Sequence, residues 1–204
     1  MNWLAHLVLS ERSPTFRIGN LLPDLMTWQE LLEVPQGFRD GIECHRRIDA
    51  FTDRHRVVRR SLQRIVPPYR RFAPILVDIF YDHFLSVNWS NHCPQPLNEF
   101  IGEVYASFET QGKLLPQPTR AVLEQMRAEN WLGSYREIAG VQLTLERVAR
   151  RLQRTVTLGD AIYELEENYE AIRRDFDEFF PELLRHVKMN GVNPDMLSST
   201  PTDR

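Results

Sequence analysis

Seven ionisable residues within the first 83 positions stand where their chemistry needs an explanation: His6, Asp24, His45, Asp49, Asp78, Asp82 and His83. The sharpest case is Ile75-Leu76-Val77-Asp78-Ile79-Phe80-Tyr81-Asp82-His83-Phe84-Leu85. It reads as a helix that is apolar almost all the way round, and such a helix is normally buried in the centre of a domain. At about 100° per residue, Asp78 and Asp82 point the same way as Ile75, Leu85 and Trp89. Two carboxylates in an apolar stripe repel each other and lose hydration, so something must offset that cost. A metal ion, arginines or protonation could each do so.

Histidines mixed with carboxylates and without cysteine suit a hard or borderline divalent cation such as Mn²⁺, Mg²⁺ or Fe²⁺. The i,i+4 pairs His45/Asp49 and Asp78/Asp82 each direct two potential ligands at one spot. A cation there would bind a phosphoryl oxygen, neutralise its charge and lower the pKa of a bound water, which is the chemistry of phosphoester hydrolysis. Arg46 and Arg47 adjoin His45 and could bind a phosphate. Each residue also has a plainer reading. His6 could be a hydrogen-bonded core histidine, Asp24 a helix cap, and His45, Asp49 and Asp53 a solvated helix face. Asp78 and Asp82 could be buried partners of arginines. Cys44 falls on the apolar face of its helix and reads as structural.

The elements that must carry these residues read as helices. Residues 2–10 form a short apolar run whose length does not distinguish strand from helix. Ser10 to Pro14 is a loop, and Gly19 to Asp24 is a turn leading into a helix over 24–33, interrupted by Pro35 and Gly37. Helices are expected over 38–53, 55–66 (ending at Pro67-Pro68), 72–89, 97–110, around Val122–Met126 and Trp131, and over 136–153. Thr157 to Asp160 offers an N-cap for a long helix from Ala161 to Phe180, with Pro181 kinking it or restarting a last helix to Lys188. No series of alternating strands, hairpin turns or internal repeats is present. The fold class is all-α, a bundle of about eight to ten helices. One domain spans 1–189, and the polar tail 190–204 is expected to be disordered.

At 204 residues the chain is long enough for one domain with a sizeable core. The net charge of −3 gives no global reason to bind nucleic acid. Charge is nonetheless uneven. Seven arginines and no acid fall between Arg54 and Arg71, and nine acids and two arginines between Asp160 and Glu182. That asymmetry predicts a basic face and an acidic face. The two cysteines, Cys44 and Cys93, form no CxxC pair, and a reduced cytoplasmic chain is expected. No segment reads as a signal peptide or a membrane span.

Several stretches together resemble the acyl-carrier-protein phosphodiesterase family. They are Met1-Asn2-Trp3-Leu4-Ala5-His6-Leu7, Gly19-Asn20-Leu21-Leu22-Pro23-Asp24, Gly41-Ile42 through His45-Arg46-Arg47-Ile48-Asp49, Phe51-Thr52-Asp53, and Asp78 through Asp82-His83-Phe84-Leu85. The resemblance implies a divergent relative of the all-α HD-domain phosphohydrolases. It implies a hydrolase supplied with Mn²⁺ or Mg²⁺ that cleaves 4′-phosphopantetheine from a serine of acyl carrier protein. The usual His-Asp order is reversed here in Asp82-His83, so HD ligand assignments do not transfer directly. The expected ligands are His6, Asp24, His45, Asp78 and Asp82. Asp49 or His83 would assist proton transfer, and Arg46 would steady the phosphate. Acyl carrier proteins are small and acidic. The strip Arg54, Arg56, Arg59, Arg60, Arg64, Arg70 and Arg71 could therefore dock one. Two alternatives keep some of these features: an HD-like enzyme acting on a nucleotide or other small phosphodiester, and a carrier-protein-binding protein without catalysis.

Overall fold

The computed structural model describes residues 1–152, 157–194 and 196. Among them are twelve α-helices and no strand. They are α1 (Trp3–Val8), α2 (Pro14–Gly19), α3 (Leu22–Leu25), α4 (Trp28–Leu32), α5 (Arg39–Arg54), α6 (Arg56–Arg64), α7 (Ala73–Val87), α8 (Leu97–Gln111), α9 (Gln117–Ala128), α10 (Trp131–Ser134), α11 (Ile138–Leu152) and α12 (Ile162–Met189). The apolar run at residues 2–10 is thus a helix, and the all-α class is as expected. The helix expected over 24–33 is two short ones. Thr27 and Glu30 close a capping box that starts α4 afresh. Proline opens α2, α3, α7 and α9, where its missing N–H costs nothing.

The long run Ile75–Leu85 lies where its composition demands. In α7, Leu76, Val77, Phe80, Tyr81, Phe84 and Leu85 are fully buried, and α1, α6, α11 and α12 pack around them. Pro181 does not break α12. An interior proline costs about 3 kcal/mol, whereas each fully buried Phe or Leu contributes roughly 1.5–3 kcal/mol. Phe176, Phe179, Phe180, Leu183 and Leu184 are all buried around that point, so packing wins. Thr157 does not cap with its side chain; a 3-10 turn over Leu158–Ala161 leads into α12 instead.

The expected basic and acidic faces are not separate surfaces. Helices α6 and α12 pack on each other, and the two charge runs meet in the seam between them. Arg60 pairs with Asp175 at 2.7 Å and with Glu178 at 2.6 Å. Arg64 reaches the other oxygen of Asp175 at 3.1 Å, and Arg56 reaches Glu178 at 2.8 Å. Asp175 is only 2% exposed, and it also accepts the Ser61 hydroxyl, which meets the Tyr81 hydroxyl at 2.8 Å. Of the tail, Val192 and Met196 are buried. Residue 195 and residues 197–204 lie outside the described residues.

Two glycines set the crossing that matters most for the site. Gly41 on α5 lies so close to α2 that a Cβ would overlap the Phe16 carbonyl oxygen. A Cβ on Gly19 would overlap the Phe38 carbonyl oxygen. The close approach places Asn20, just after α2, against His45 one helical turn beyond Gly41.

Candidate metal centre

His6 from α1 and His45 and Asp49 from α5 converge. One ligand atom from each lies within 4.8 Å of the others. The two imidazoles stack with centroids 4.1 Å apart and planes 14° apart. Asn20 orients both rings. Its amide nitrogen donates to the His6 carbonyl at 2.7 Å and the Ser10 hydroxyl at 2.9 Å, which leaves its side-chain oxygen as an acceptor. His6 Nδ1 donates to that oxygen at 3.1 Å, and His45 Nδ1 donates to the Asn20 backbone carbonyl at 2.8 Å. With protons on both Nδ1 atoms, each Nε2 presents a lone pair.

Those lone pairs face oxygen acceptors. His6 Nε2 is 3.2 Å from one Asp49 oxygen and 3.1 Å from the Met1 carbonyl. His45 Nε2 is 3.0 Å from the other Asp49 oxygen and 3.8 Å from Asp24. Something positive must sit among these atoms: a proton on one ring, or a cation shared by all. Two stacked, buried imidazolium rings would repel each other. Burial and the neighbouring His45 push the His6 pKa down. Burial also opposes the charge on His45, but the hydrogen bond and charge of Asp49 outweigh it and push that pKa up. Burial disfavours the Asp49 carboxylate too. Its bonds to His45 and His6 prevail and hold it well below the usual carboxylate range. Mixed imidazole and carboxylate donors, with each histidine fixed through its other nitrogen, fit a borderline divalent cation.

Asp24 and Asp78 stand at the edge of this cluster, in a cleft of about 170 Å³ that they share with Trp3 and Val148. Trp3 Nε1 donates to Asp24 at 3.0 Å. Asp78 is 34% exposed and lies 3.1 Å from the Met1 α-ammonium, which is 3.8 Å from Asp49. Five of the expected residues, His6, Asp24, His45, Asp49 and Asp78, therefore gather in one region, with Asp49 at its centre.

Two expected residues have other partners. Asp82 is fully buried, and both its oxygens accept backbone N–H groups at the start of α1, Leu4 at 2.7 Å and Ala5 at 3.2 Å. Helix α1 has no side-chain cap of its own, so Asp82 satisfies its orphan donors. Asp82 is not part of the His6–His45–Asp49 group. His83 is also engaged at both nitrogens, with the Tyr135 carbonyl at 2.8 Å and the Tyr169 hydroxyl at 3.0 Å. It is a structural tie between α7, α12 and the residues after α10. Arg46 lies with its guanidinium carbon 4.7 Å from the Trp28 ring centre. In the arginine strip, Arg56, Arg60 and Arg64 are paired to α12. Arg70 donates to the Leu62 and Ile65 carbonyls, and Arg71 lies over Phe72. Arg54, Arg59, Arg70 and Arg71 are exposed and make no ion pair among the described residues.

Asn20 and Trp3 are the residues that sequence reasoning left without a role. A fully buried asparagine between apolar neighbours in Gly19-Asn20-Leu21-Leu22 was the available signal. Both cysteines are buried and form no disulfide with each other, and burial pushes the Cys44 thiol up to about 12. No helix of the described residues is long and apolar enough to cross a membrane.

The sequence profile of a family described as acyl carrier protein phosphodiesterase matches residues 1–183. A relative of that name from Enterobacter sp. (strain 638) is 36% identical over 191 residues, covering 92% of this chain and 98% of its own. One from Klebsiella pneumoniae subsp. pneumoniae is 36% identical over 188 residues, covering 91% and 96%. One from Salmonella newport is 36% identical over 188 residues, covering 90% and 96%. No solved structure matches the chain.

Proposed function

The chain belongs to the acyl carrier protein phosphodiesterase family of enzymes, and we propose that it hydrolyses the phosphodiester joining 4′-phosphopantetheine to a serine of acyl carrier protein with a divalent cation. The products are apo-carrier protein and 4′-phosphopantetheine. His6, His45 and Asp49 hold the cation, and Asp24 and Asp78 complete its surroundings. Mn²⁺ is the first choice for this donor set, with Mg²⁺ or Fe²⁺ as alternatives. When bound, it supplies Lewis acidity toward the phosphoryl oxygens and a water-derived nucleophile at neutral pH.

The single observation that supports this reading is the pair of Nε2 lone pairs turned onto shared carboxylate oxygens. The chain's own groups do the positioning. Asn20 fixes both rings, so the ligand atoms need no rearrangement when charge arrives. The half-exposed carboxylates of Asp24 and Asp78 line the open side of the cluster, where they can take the proton released from water. Arg46 follows His45 on α5, its guanidinium lies against the Trp28 ring, and it would steady the phosphate.

The test is to incubate holo-carrier protein with the enzyme and Mn²⁺ and weigh the product. Loss of the phosphopantetheine mass is expected. An unchanged mass, with metal loading confirmed, contradicts the proposal.

A further inference from the structure

A second hollow adjoins the carboxylate cleft. It encloses about 270 Å³ between α1, α9, α10 and α11, and shares Asn2, Trp3 and Val148 with the cleft that holds Asp24 and Asp78. Its walls are mainly apolar. Trp3 and Trp131 stack in it with centroids 5.5 Å apart, and Val122 comes from α9. Trp3 belongs to both hollows, since its indole N–H holds Asp24 while its ring stacks on Trp131. Whatever lies along this wall therefore ends beside the candidate metal centre.

One polar group in the wall lacks a hydrogen-bond partner among the described residues. Arg147 lines the hollow and is only 12% exposed. Its Nη2 pairs with Glu129 at 3.0 Å, and its guanidinium lies 4.9 Å from the Trp131 ring centre. Its Nη1 is buried and has no hydrogen-bond partner among the described residues. A buried, charged donor left unpaired costs about 1–3 kcal/mol or more, so this nitrogen points to an acceptor supplied from outside. Buried Thr144 and exposed Gln125 add polar groups to the lining. An aromatic and aliphatic wall with one or two fixed donors suits a slender chain of methylenes and amides.

Building on the function proposed above, we infer that this hollow is the seat of the pantetheine arm, with an amide carbonyl accepting from Arg147 Nη1 and the gem-dimethyl and methylene groups against Trp3, Trp131 and Val122. The arm then leads its phosphate past Trp3 to Asp24 and Asp78. The seat sets specificity: a phosphodiester without the arm gains nothing from it.

The experiment uses the full-length, Mn²⁺-loaded enzyme, its Val122→Trp variant, which fills the hollow, and Arg147→Gln. Pantetheine, which lacks the phosphate, is titrated against tryptophan fluorescence. Turnover is measured on holo-carrier protein and on bis(p-nitrophenyl) phosphate. Wild type should bind pantetheine. Val122→Trp should weaken that binding and lower kcat/KM for holo-carrier protein by on the order of 10-fold or more. Its rate on the small diester should stay within about twofold. Arg147→Gln should shift both arm-dependent readouts in the same direction. Gln125→Trp, at an exposed position on the same wall, repeats the test if Val122→Trp melts early. Equal losses on both substrates, or pantetheine binding that Val122→Trp leaves unchanged, would overturn the inference. If wild type cleaves neither substrate, the proposed reaction fails, and the pantetheine titration alone decides whether the seat exists.

Discussion

Two regions of this molecule are built from the same residue types and reach opposite electrostatic outcomes. In the seam between α6 and α12, each acid meets a base. Asp175 receives Arg60, Arg64 and Ser61, and Glu178 receives Arg56 and Arg60. That region is closed, because its charges need nothing further. Around His45 the balance is open. Two imidazoles have spent their N–H groups on Asn20 and turn lone pairs onto Asp49, with Asp24 and Asp78 close by. The Met1 α-ammonium lies 3.1 Å from Asp78 and 3.8 Å from Asp49. Charged residues at helical spacing therefore say little by themselves; whether the neighbouring element brings the opposite charge decides between a brace and a binding site.

Breaking each region should produce different failures. The largest effect is expected for Asp49→Ala, which removes the oxygens that both histidines face. A fall in kcat/KM on holo-carrier protein of about 10³-fold is expected, the scale of losing an essential charge-stabilising group. The melting temperature should fall less than for a buried carboxylate, because Asp49 is 40% exposed, although its bonds to His45 and His6 favour the folded state. Asp175→Ala should do the reverse. Removing one partner of a buried pair costs about 3–5 kcal/mol. The low end applies because Arg60 and Arg64 keep 42% and 29% exposure. Denaturant unfolding should show that loss, while activity per folded molecule stays unchanged.

Asp82 sharpens the comparison from a third side, since it is buried like Asp175 but faces backbone N–H groups. Burial pushes its carboxyl up to about 8, against the Leu4 and Ala5 N–H groups and the Met1 ammonium, which favour the charge. A folded pKa above the unfolded value of 3.8 means that the folded state binds the extra proton. The stability from this proton is full below about pH 4 and is lost as pH rises through about 8. Wild type should therefore lose more stability between pH 5 and 8 than Asp82→Asn, measured as urea midpoints across that range. Equal slopes would remove Asp82 from the pH dependence. The smallest effect is expected for reversing Arg54 and Arg59 to glutamate, two exposed strip residues that make no ion pair among the described residues. KM for holo-carrier protein should rise several-fold at low salt and recover at high salt, with the small diester unaffected. A larger effect from reversing Arg60, with the fold intact, would restore the full strip as the docking surface.

How much of this was legible in the sequence depended on distance along the chain. The helical period showed that α7 is buried and that His45 and Asp49 share a face, because both are properties of one element. The partners of Asp82 lie 77 and 78 residues away, and those of the arginine run 111 to 122 residues away. No local pattern announces such pairings. Metal, arginine and protonation were the options visible for Asp82, whereas the uncapped start of α1 was not, since that run could equally have been a strand. Helix α2, six residues long, was missed because it is too short to show a period. The paired charge runs were read as two faces because composition records their presence and not their contact.

On the function proposed above, the His6–His45–Asp49 cluster holds a divalent cation and the α6–α12 seam does not. The most direct test is titration of Mn²⁺ into the full-length protein, followed by loss of the free-ion electron paramagnetic resonance signal. Wild type and Asp175→Ala should bind with equal affinity, while Asp49→Ala should bind at least about 100-fold more weakly. Wild type that leaves the free Mn²⁺ signal untouched, or Asp49→Ala that binds as tightly as wild type, would contradict the account.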